Sequence, residues 1–338
     1  MFPFSWFGSS WSYDQLPSLQ GKTALVTGVS YIAPIDGKVS AQQGIGLHTA
    51  LELARKGASV FITSRRPDNA ALVVEYIRRE VPGAEVAVVP MQLDDLQSVR
   101  DGARAWAADH RVLDILVNNA GVMGVSTYKP SANGIESQMA INYIAPFLLT
   151  RELWPCLLRA PQPRVVTLSS RGHLMARSKF WEFWNDPARY SPYLAYGDTK
   201  RAVMMFATEL TRRKAAEFFA NSCHPGIVDT SLFATAQYAF AGRLLRPLLS
   251  TPSDGAKTSV FLAADETTML ATDEPDPAKR EQKRRAHRGQ YWEPYGKLAS
   301  LPGSARDPEQ LRALWDATEA LLAEKGFGGS WPGLTTEA

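Results

Sequence analysis

The chain has 338 residues, of which 45 % are hydrophobic, and it carries 37 basic against 34 acidic residues, a formal net charge of +3. That length suits one large α/β domain or two small ones, and the near balance of charge gives no reason to expect a nucleic-acid partner. No run of about 18 apolar residues occurs, which argues against a membrane span. Cys156 and Cys223 fall in a predicted helix and a predicted strand, which indicates a reducing, cytoplasmic location.

Residues 1–20 form an aromatic N-terminal arm with almost no charge. Its aromatic residues are Phe2, Phe4, Trp6, Phe7, Trp11 and Tyr13. They can pack on the domain or a partner subunit, or insert shallowly into a membrane interface. Because the basic residues of an interfacial helix are missing, packing is the favoured interpretation.

The first regular unit begins after Lys22. Residues 23–27 are a short apolar run that ends at Gly28, Gly44-Ile45-Gly46 opens a helix, and residues 59–63 are typical of a second buried strand. Such a βαβ unit places its glycines where a pyrophosphate meets a helix N-terminus. Glycine is needed there because a Cβ would hold the phosphates away from the backbone amides.

An insertion interrupts this turn. Fifteen residues, 29–43, separate Gly28 from Gly44, where a tight phosphate turn has about three. Three interpretations are open: a surface loop that leaves the ends of the turn in place, a segment that covers or spoils the cofactor site, or retained intron sequence translated in frame. The assignment of Gly28 to the turn depends on the first of them.

The second strand ends at Ser64-Arg65-Arg66, with no acidic residue. An acidic side chain at this point binds a free ribose 2′-hydroxyl, whereas arginine accepts a 2′-phosphate. We therefore predict NADP(H) rather than NAD(H), with Arg65 at the phosphate. The alternative is a pair of solvated arginines at a strand end.

Tyr196 and Lys200 lie in a long predicted helix at residues 191–217. Four residues is about one helical turn, so the phenol and the ammonium share a face. An adjacent cation favours the phenolate, which allows Tyr196 to exchange a proton near neutral pH. Carbonyl–alcohol interconversion requires such a group.

Further motifs occur in order along the chain. They are Asn118-Asn119-Ala120-Gly121 after a strand, Asn142 in a helix, Ser169-Ser170 after the strand at 164–168, and Pro225-Gly226 after the helix that carries Tyr196. With the glycine turn and Tyr196-x-x-x-Lys200, they resemble the motifs of short-chain dehydrogenases/reductases, in the retinol-dehydrogenase-like, NADP-preferring part of that family. The resemblance covers residues 21–291 and implies a single doubly wound (Rossmann) α/β domain at 21–327. Its sheet would have seven parallel strands with helices on both faces.

The resemblance also implies roles for individual residues. Tyr196 resembles the general acid/base, Lys200 the residue that lowers its pKa and binds the nicotinamide ribose, and Ser170 the residue that holds the substrate oxygen. Asn142 would anchor a water linked to Lys200. The NADP site would be formed by Gly28, Gly44, Ile45, Gly46, Arg65, Asp94, Asn118, Ala120, Gly121, Pro225, Gly226, Val228 and Thr230, together with Tyr196 and Lys200. No metal site is predicted.

Two apolar segments, residues 171–195 and 231–250, are predicted to cover the active-site mouth. They favour a small lipophilic or aromatic carbonyl or alcohol substrate over a sugar, although their side chains could simply pack the lobes. The basic run at 279–288 is expected to be a solvated loop, and residues 328–338 a flexible tail. Cys223 and His224 are not expected to act as a pair, since strand neighbours point to opposite faces.

The sequence thus predicts an NADP-dependent carbonyl–alcohol oxidoreductase, and a homo-oligomer is compatible with it. Two alternatives are a biosynthetic ketoreductase of secondary metabolism and a weakly active, cofactor-binding regulatory protein with a disrupted phosphate loop.

Overall fold

The computed structural model describes residues 11–29, 44–214, 218–228, 249–265, 273–294 and 296–334. Within these residues one eight-stranded sheet has the order β3-β2-β1-β4-β5-β6-β7-β8. Its strands are β1 (Thr23–Val26), β2 (Ser59–Ser64), β3 (Val86–Pro90), β4 (Ile115–Asn118), β5 (Arg164–Leu168), β6 (Phe219–Cys223), β7 (Tyr291–Glu293) and β8 (Lys297–Ala299).

Helices cover both faces of the sheet. They are α1 (Ile45–Arg55), α2 (Pro67–Glu80), α3 (Leu96–Asp109), α4 (Ser137–Met139), α5 (Ala145–Glu152), α6 (Trp154–Leu157), α7 (Pro192–Arg213), α8 (Pro252–Ala264), α9 (Pro277–Ala286) and α10 (Pro308–Glu324). Side chains of α1, α2 and α8 form one buried cluster with the sheet, and those of α3, α5, α7 and α10 form the other. The basic run expected as a loop is instead the helix α9, which buries none of its residues.

The predicted seven parallel strands are confirmed, and an eighth strand is added. Strands β1 to β7 pair in parallel, whereas β8 pairs antiparallel with β7. Gly296 precedes β8 with a φ of +72°, a conformation that glycine adopts without the steric cost of a Cβ. Gly296 therefore permits the chain to reverse direction before β8. A strand of only three residues leaves little pattern in the sequence, which is why β8 was not predicted.

The strand order reverses between β1 and β4. In open α/β sheets, ligands bind in the crevice beyond the carboxyl ends of the strands at such a switch point. The segments after β1, β4, β5 and β6, which carry the predicted motifs, therefore meet at one edge of the sheet.

The C-terminal segment packs against the domain as far as residue 334, contrary to the expected flexible tail. The Trp331 ring lies 5.3 Å from Phe147, 5.3 Å from Trp154 and 5.0 Å from Trp315. Its indole donates to Glu319, and the Trp154 indole donates to the Pro332 carbonyl at 2.8 Å. Packing of the Trp331 ring therefore attaches this segment to the domain.

The described part of the N-terminal arm also packs on the domain. Trp11 lies 5.5 Å from Phe261 and donates to the Asp265 carboxylate at 3.1 Å, and Leu16 and Leu19 are buried. Residues 1–10 lie outside the described part of the chain. Across the helices that are described, none combines the length and the apolar character needed to cross a bilayer.

Candidate active site

A cavity of about 570 Å³ lies at the carboxyl edge of the sheet, at the switch point. Most of the predicted site residues line it: Gly28, Gly44, Ile45, Gly46, Arg65, Asp94, Ala120, Gly121, Ser170, Tyr196, Lys200, Pro225, Gly226 and Val228. The structure therefore brings together residues that are up to 200 positions apart (28 to 228) in the sequence.

The two ends of the interrupted glycine turn are adjacent. A Cβ on Gly46 would lie 2.9 Å from the Gly28 carbonyl oxygen and 2.4 Å from Asn119 Nδ2, and one on Gly28 would lie 2.5 Å from the Ala120 Cα. Gly28 also has a φ of +69°. Because any side chain would separate these backbones, both glycines are required. The intervening residues 30–43 lie outside the described part of the chain.

The turn leads into the N-terminus of α1 at the cavity wall. Gly44 occupies the cap position and, having no side chain, supplies no side-chain cap. The unpaired N–H groups and the dipole of a helix N-terminus favour an anion. A cradle of bare backbone beside an uncapped helix end fits the pyrophosphate of a dinucleotide.

At the end of β2, Arg65 and Arg66 are exposed at the rim of this cavity. Asn69, from the first turn of α2, lines the same region. Asp94 lies on the wall beyond Leu93, on the segment after β3. Two guanidinium groups without a carboxylate at the strand end match the donor set that a 2′-phosphate needs.

The side chains of Ser170 and Tyr196 also line the cavity. Ser170 follows β5, and its Oγ accepts a bond from the Gly172 N–H at 3.1 Å. Tyr196 lies near the start of α7 and is 4 % exposed. Burial raises the pKa of this phenol, and the Ser170 hydrogen bond lowers it.

Lys200 lies one turn further along α7 and is also buried. Its Nζ is 5.5 Å from the centre of the Tyr196 ring and donates to the Leu168 carbonyl at 2.8 Å. Burial lowers the pKa of Lys200 to about 8. Burial is the largest influence on the pKa of the phenol. The expectation that Lys200 lowers this pKa stays a prediction.

Asn142 lies behind the cavity wall rather than on it. It belongs to a π-helical turn, Ala140–Ile144, a distortion that often marks functional sites. Its side chain accepts from the Val122 N–H at 2.8 Å and donates to the Val122 carbonyl at 2.9 Å and to Thr199 Oγ1 at 3.0 Å. Asn142 therefore fixes the segment beside Gly121, where an added Cβ would lie 3.3 Å from Lys200 Nζ.

Asn118 does not line the cavity, contrary to the prediction. It is the last residue of β4, it is buried, and its amide donates to Thr150 Oγ1 on α5 at 3.3 Å. Its neighbour Asn119 lines the cavity instead and donates to the Thr27 carbonyl at 2.7 Å. Since consecutive strand residues face opposite sides, a one-residue difference decides which asparagine reaches the site. Thr230 lies outside the described residues.

Sequence reasoning also missed residues on the wall. Besides Asn119, they are Val29, Thr63, Ser64, Arg66, Asn69, Met91, Leu93, Val122, Met123, Ile141, Leu168, Ser169 and His224. Many of these residues are next in sequence to a predicted residue at a strand end. This adjacency is the signal that could have identified them. The buried imidazole of His224 has a pKa lowered to about 4, chiefly by burial, and is therefore neutral. Burial raises the pKa of the Cys223 thiol to about 12, so that this thiol stays protonated near neutral pH.

The aromatic residues of the 171–195 segment pack on the domain. Phe180 is 1 % exposed, Trp184 lies 6.4 Å from Tyr143, and the Phe183 ring packs 4.7 Å from the Arg177 guanidinium. None of these rings lines the cavity. For this segment the packing interpretation is the one that fits. Residues 231–248 of the second segment lie outside the described residues.

Comparison with known proteins agrees with this geometry. Residues 39–239 match the family model described as short chain dehydrogenase. The chain is 34 % identical over 314 residues to human dehydrogenase/reductase SDR family member 13, covering 87 % of this chain and 77 % of the relative. It is 35 % identical over 253 residues to mouse retinol dehydrogenase 11, covering 73 % of this chain and 75 % of the relative.

The fold also matches solved structures. One is a Beutenbergia cavernae protein described as an NAD(P)-dependent gluconate 5-dehydrogenase, solved with NADP bound at low occupancy. It is 25 % identical, with a TM-score of 0.59, and the match covers 82 % of this chain and 96 % of that one.

Proposed function

The chain belongs to the short-chain dehydrogenase/reductase family and resembles its retinol dehydrogenases, and on that premise we propose that it is an NADP-dependent oxidoreductase of the cytoplasm. It interconverts a carbonyl and an alcohol on a small lipophilic substrate. The observation that carries this proposal is one cavity that is lined both by Ser170 and Tyr196 and by the bare-backbone anion cradle at Gly28 and Gly46.

The two hydroxyls hold the reacting oxygen. When bound, the nicotinamide supplies or accepts the hydride, which is chemistry that the protein itself lacks. In the reduction direction negative charge develops on the substrate oxygen, and Ser170 and Tyr196 are donors on the cavity wall that can stabilise it. Tyr196 then gives its proton to that oxygen. A phenol kept protonated by burial is well suited to this step.

Lys200 and Asn142 support the acid. Lys200 is a buried donor on the same helical face, held by the Leu168 carbonyl. With a pKa of about 8 it can exchange a proton near neutral pH, which suits a group that restores the proton of Tyr196. Asn142 fixes the backbone opposite Lys200 through Val122.

Apolar side chains support the choice of a lipophilic substrate. Val122, Met123 and Leu168 line the cavity. Leu174 and Ile227, which follow the wall residues Ser170 and Gly226 closely in sequence, are 72 % and 59 % exposed. The adjacency of Gly28 and Gly46 supports an intact phosphate turn over the regulatory alternative with a disrupted one.

The test is a panel of aliphatic and aromatic ketones and aldehydes, scored by NADPH oxidation, for the wild type and Tyr196→Phe. We expect turnover of at least one lipophilic carbonyl and a loss of about 10²–10⁴-fold in kcat in the variant, because the proton donor is removed. The Kd of NADPH should stay within about twofold, and Tyr128→Phe, a tyrosine absent from the cavity wall, should behave as wild type. Full turnover by Tyr196→Phe would exclude the proton role of this residue.

A further inference from the structure

Two glycines bring the turn after Ser170 directly against α7. This turn, the 3₁₀ segment Arg171–Met175, begins at Ser170. A Cβ on Gly172 would lie 2.8 Å from Cε1 and 3.0 Å from Cδ1 of the Tyr196 ring. A Cβ on Gly197 would lie 2.8 Å from the Gly172 carbonyl oxygen and 3.0 Å from the Met175 carbonyl carbon. The Gly172 peptide therefore lies between the ring of Tyr196 and the backbone of α7.

Backbone conformation does not explain either glycine. Neither has a positive φ, so that alanine could adopt both backbones without strain. Within α7 alanine is also the better helix former. What makes a side chain unsuitable at both positions is the close contact.

Neither side of this contact can yield freely. The Tyr196 ring is buried. The turn is attached to α7 beyond the glycine, because Arg201 donates to the His173 carbonyl at 3.0 Å and the Arg177 N–H donates to the Asp198 carboxylate at 2.7 Å. A group added at Gly172 must therefore displace either the phenol or the turn that carries Ser170.

On the premise of the proposed function, we propose that Gly172 is a positioning residue whose missing side chain sets the separation of the Ser170 and Tyr196 hydroxyls, with Gly197 holding the turn in place from behind. The N–H of Gly172 also helps to position the Ser170 hydroxyl, since it donates to Ser170 Oγ at 3.1 Å and fixes one lone pair of that atom. The remaining lone pair and the hydroxyl proton are left for the phenol and the substrate oxygen.

The test is Gly172→Ala, with Gly303→Ala as the matched control, because a Cβ on Gly303 meets no atom within 4 Å and its φ is not positive. We expect Gly172→Ala to lower kcat about 10- to 100-fold, the loss typical of a displacement of about 1 Å in a reacting site. The Kd of NADPH should remain within about twofold, because Gly172 is not among the residues that line the cavity. Gly303→Ala should match the wild type.

The pH dependence of kcat distinguishes a positioning role of Gly172 from a general loss of structure. The Ser170 hydrogen bond lowers the pKa of Tyr196, so weakening it should move the Tyr196 limb of the kcat profile to higher pH. In a Ser170→Ala background the further loss caused by Gly172→Ala should be less than about threefold, since the two changes act on one interaction. The proposal would be overturned if Gly172→Ala lowered kcat and NADPH affinity by the same factor, lowered Tm as well, and left the Tyr196 limb of the kcat profile at its wild-type pH.

Crystal structures of the wild type and the variant provide a readout that does not need turnover. We expect the distance between Ser170 Oγ and Tyr196 Oη to be longer by at least about 0.5 Å in Gly172→Ala, and an unchanged distance would refute the inference whatever the activity. If Gly172→Ala does not fold, Gly197→Ala carries the same measurements. The proposed function fails separately, namely when the wild type turns over no carbonyl in the panel.

Discussion

At the residue scale, the chemistry of the site is governed by burial more than by pairing of charges. Tyr196 and Lys200 are each 4 % exposed, and desolvation moves both towards their neutral forms. A neutral phenol and a readily deprotonated lysine are the groups that the proposed proton transfer requires.

The lowered pKa of Lys200 predicts a pH dependence of stability. Burial brings this pKa from 10.5 to about 8, so that between these values the folded protein has lost a proton that the unfolded chain keeps. The free energy of unfolding should therefore rise with pH across that window, by an amount of order 3 kcal/mol. Urea denaturation of the apo protein at pH 7 to 10 should show this rise in the wild type and its absence in Lys200→Met. Parallel curves for the two proteins would contradict the shift.

The position of Arg65 at the cavity rim leads to a prediction about the choice of cofactor. Arg65→Ala should weaken NADPH binding about 10- to 100-fold, because a charge-assisted contact to the 2′-phosphate is lost, and should change NADH binding less than about twofold. Fluorescence titration measures both affinities. Arg79→Ala, which removes an exposed arginine of α2 outside the cavity, serves as the control. Equal weakening of both cofactors would remove Arg65 from the phosphate site.

At the element scale, one stretch of α7 serves two regions of the molecule. Tyr196 and Lys200 line the cavity, while Asp198, between them in the sequence, holds the segment 171–195, named here the aromatic lobe. Its carboxylate, fully buried, accepts from the N–H of Arg177 at 2.7 Å and from Nε of the same residue at 2.9 Å. The lobe is thereby attached to the helix that carries the proposed acid.

Asp198→Ala should therefore destabilise the protein through the lobe. We expect the free energy of unfolding to fall by about 3 kcal/mol, because one partner of a buried pair is removed and Arg177 is left unpaired. Glu182→Ala, which removes one partner of an exposed pair with Lys179 in the same lobe, should cost less than about 1 kcal/mol. Urea denaturation measures both. An equal effect of the two changes would show that the buried pair does not anchor the lobe.

At the scale of the whole molecule, the C-terminal part of the chain covers one helical layer. Helix α10 packs on α7, and the rings of Phe147 on α5, Phe206 on α7 and Trp315 on α10 form a cluster with Trp331. Arg151, also buried, donates to Glu319 at 2.7 Å and to the Phe327 carbonyl. The last helix and the segment after it therefore belong to the core.

Trp331→Ala should lower the free energy of unfolding by about 2–3 kcal/mol, towards the low end for removal of a tryptophan because the ring is only partly buried. Thermal and urea denaturation measure the loss. Leu72→Ala, at a 41 % exposed position on α2, should change stability by less than about 0.5 kcal/mol. A stability unchanged by Trp331→Ala would restore the expectation of a flexible tail.

The sequence by itself determined the fold class, the order of the strands' motifs and half of the residues on the cavity wall. Periodicity and glycine spacing are local signals, and in a parallel sheet every strand delivers its following residues to the same edge. Gly28 and Gly46 were therefore predictable from position alone, whereas the roles of Ser170 and Tyr196 came from the resemblance of their motifs to the family.

Only the tertiary structure decided which neighbour at a strand end faces the site, as with Asn119 in place of Asn118. It also decided the attachment of Trp331 and the direction in which the pKa of Tyr196 moves. These outcomes depend on what surrounds each group in space. Desolvation and packing are set by residues that are distant along the chain, and a local pattern does not record them.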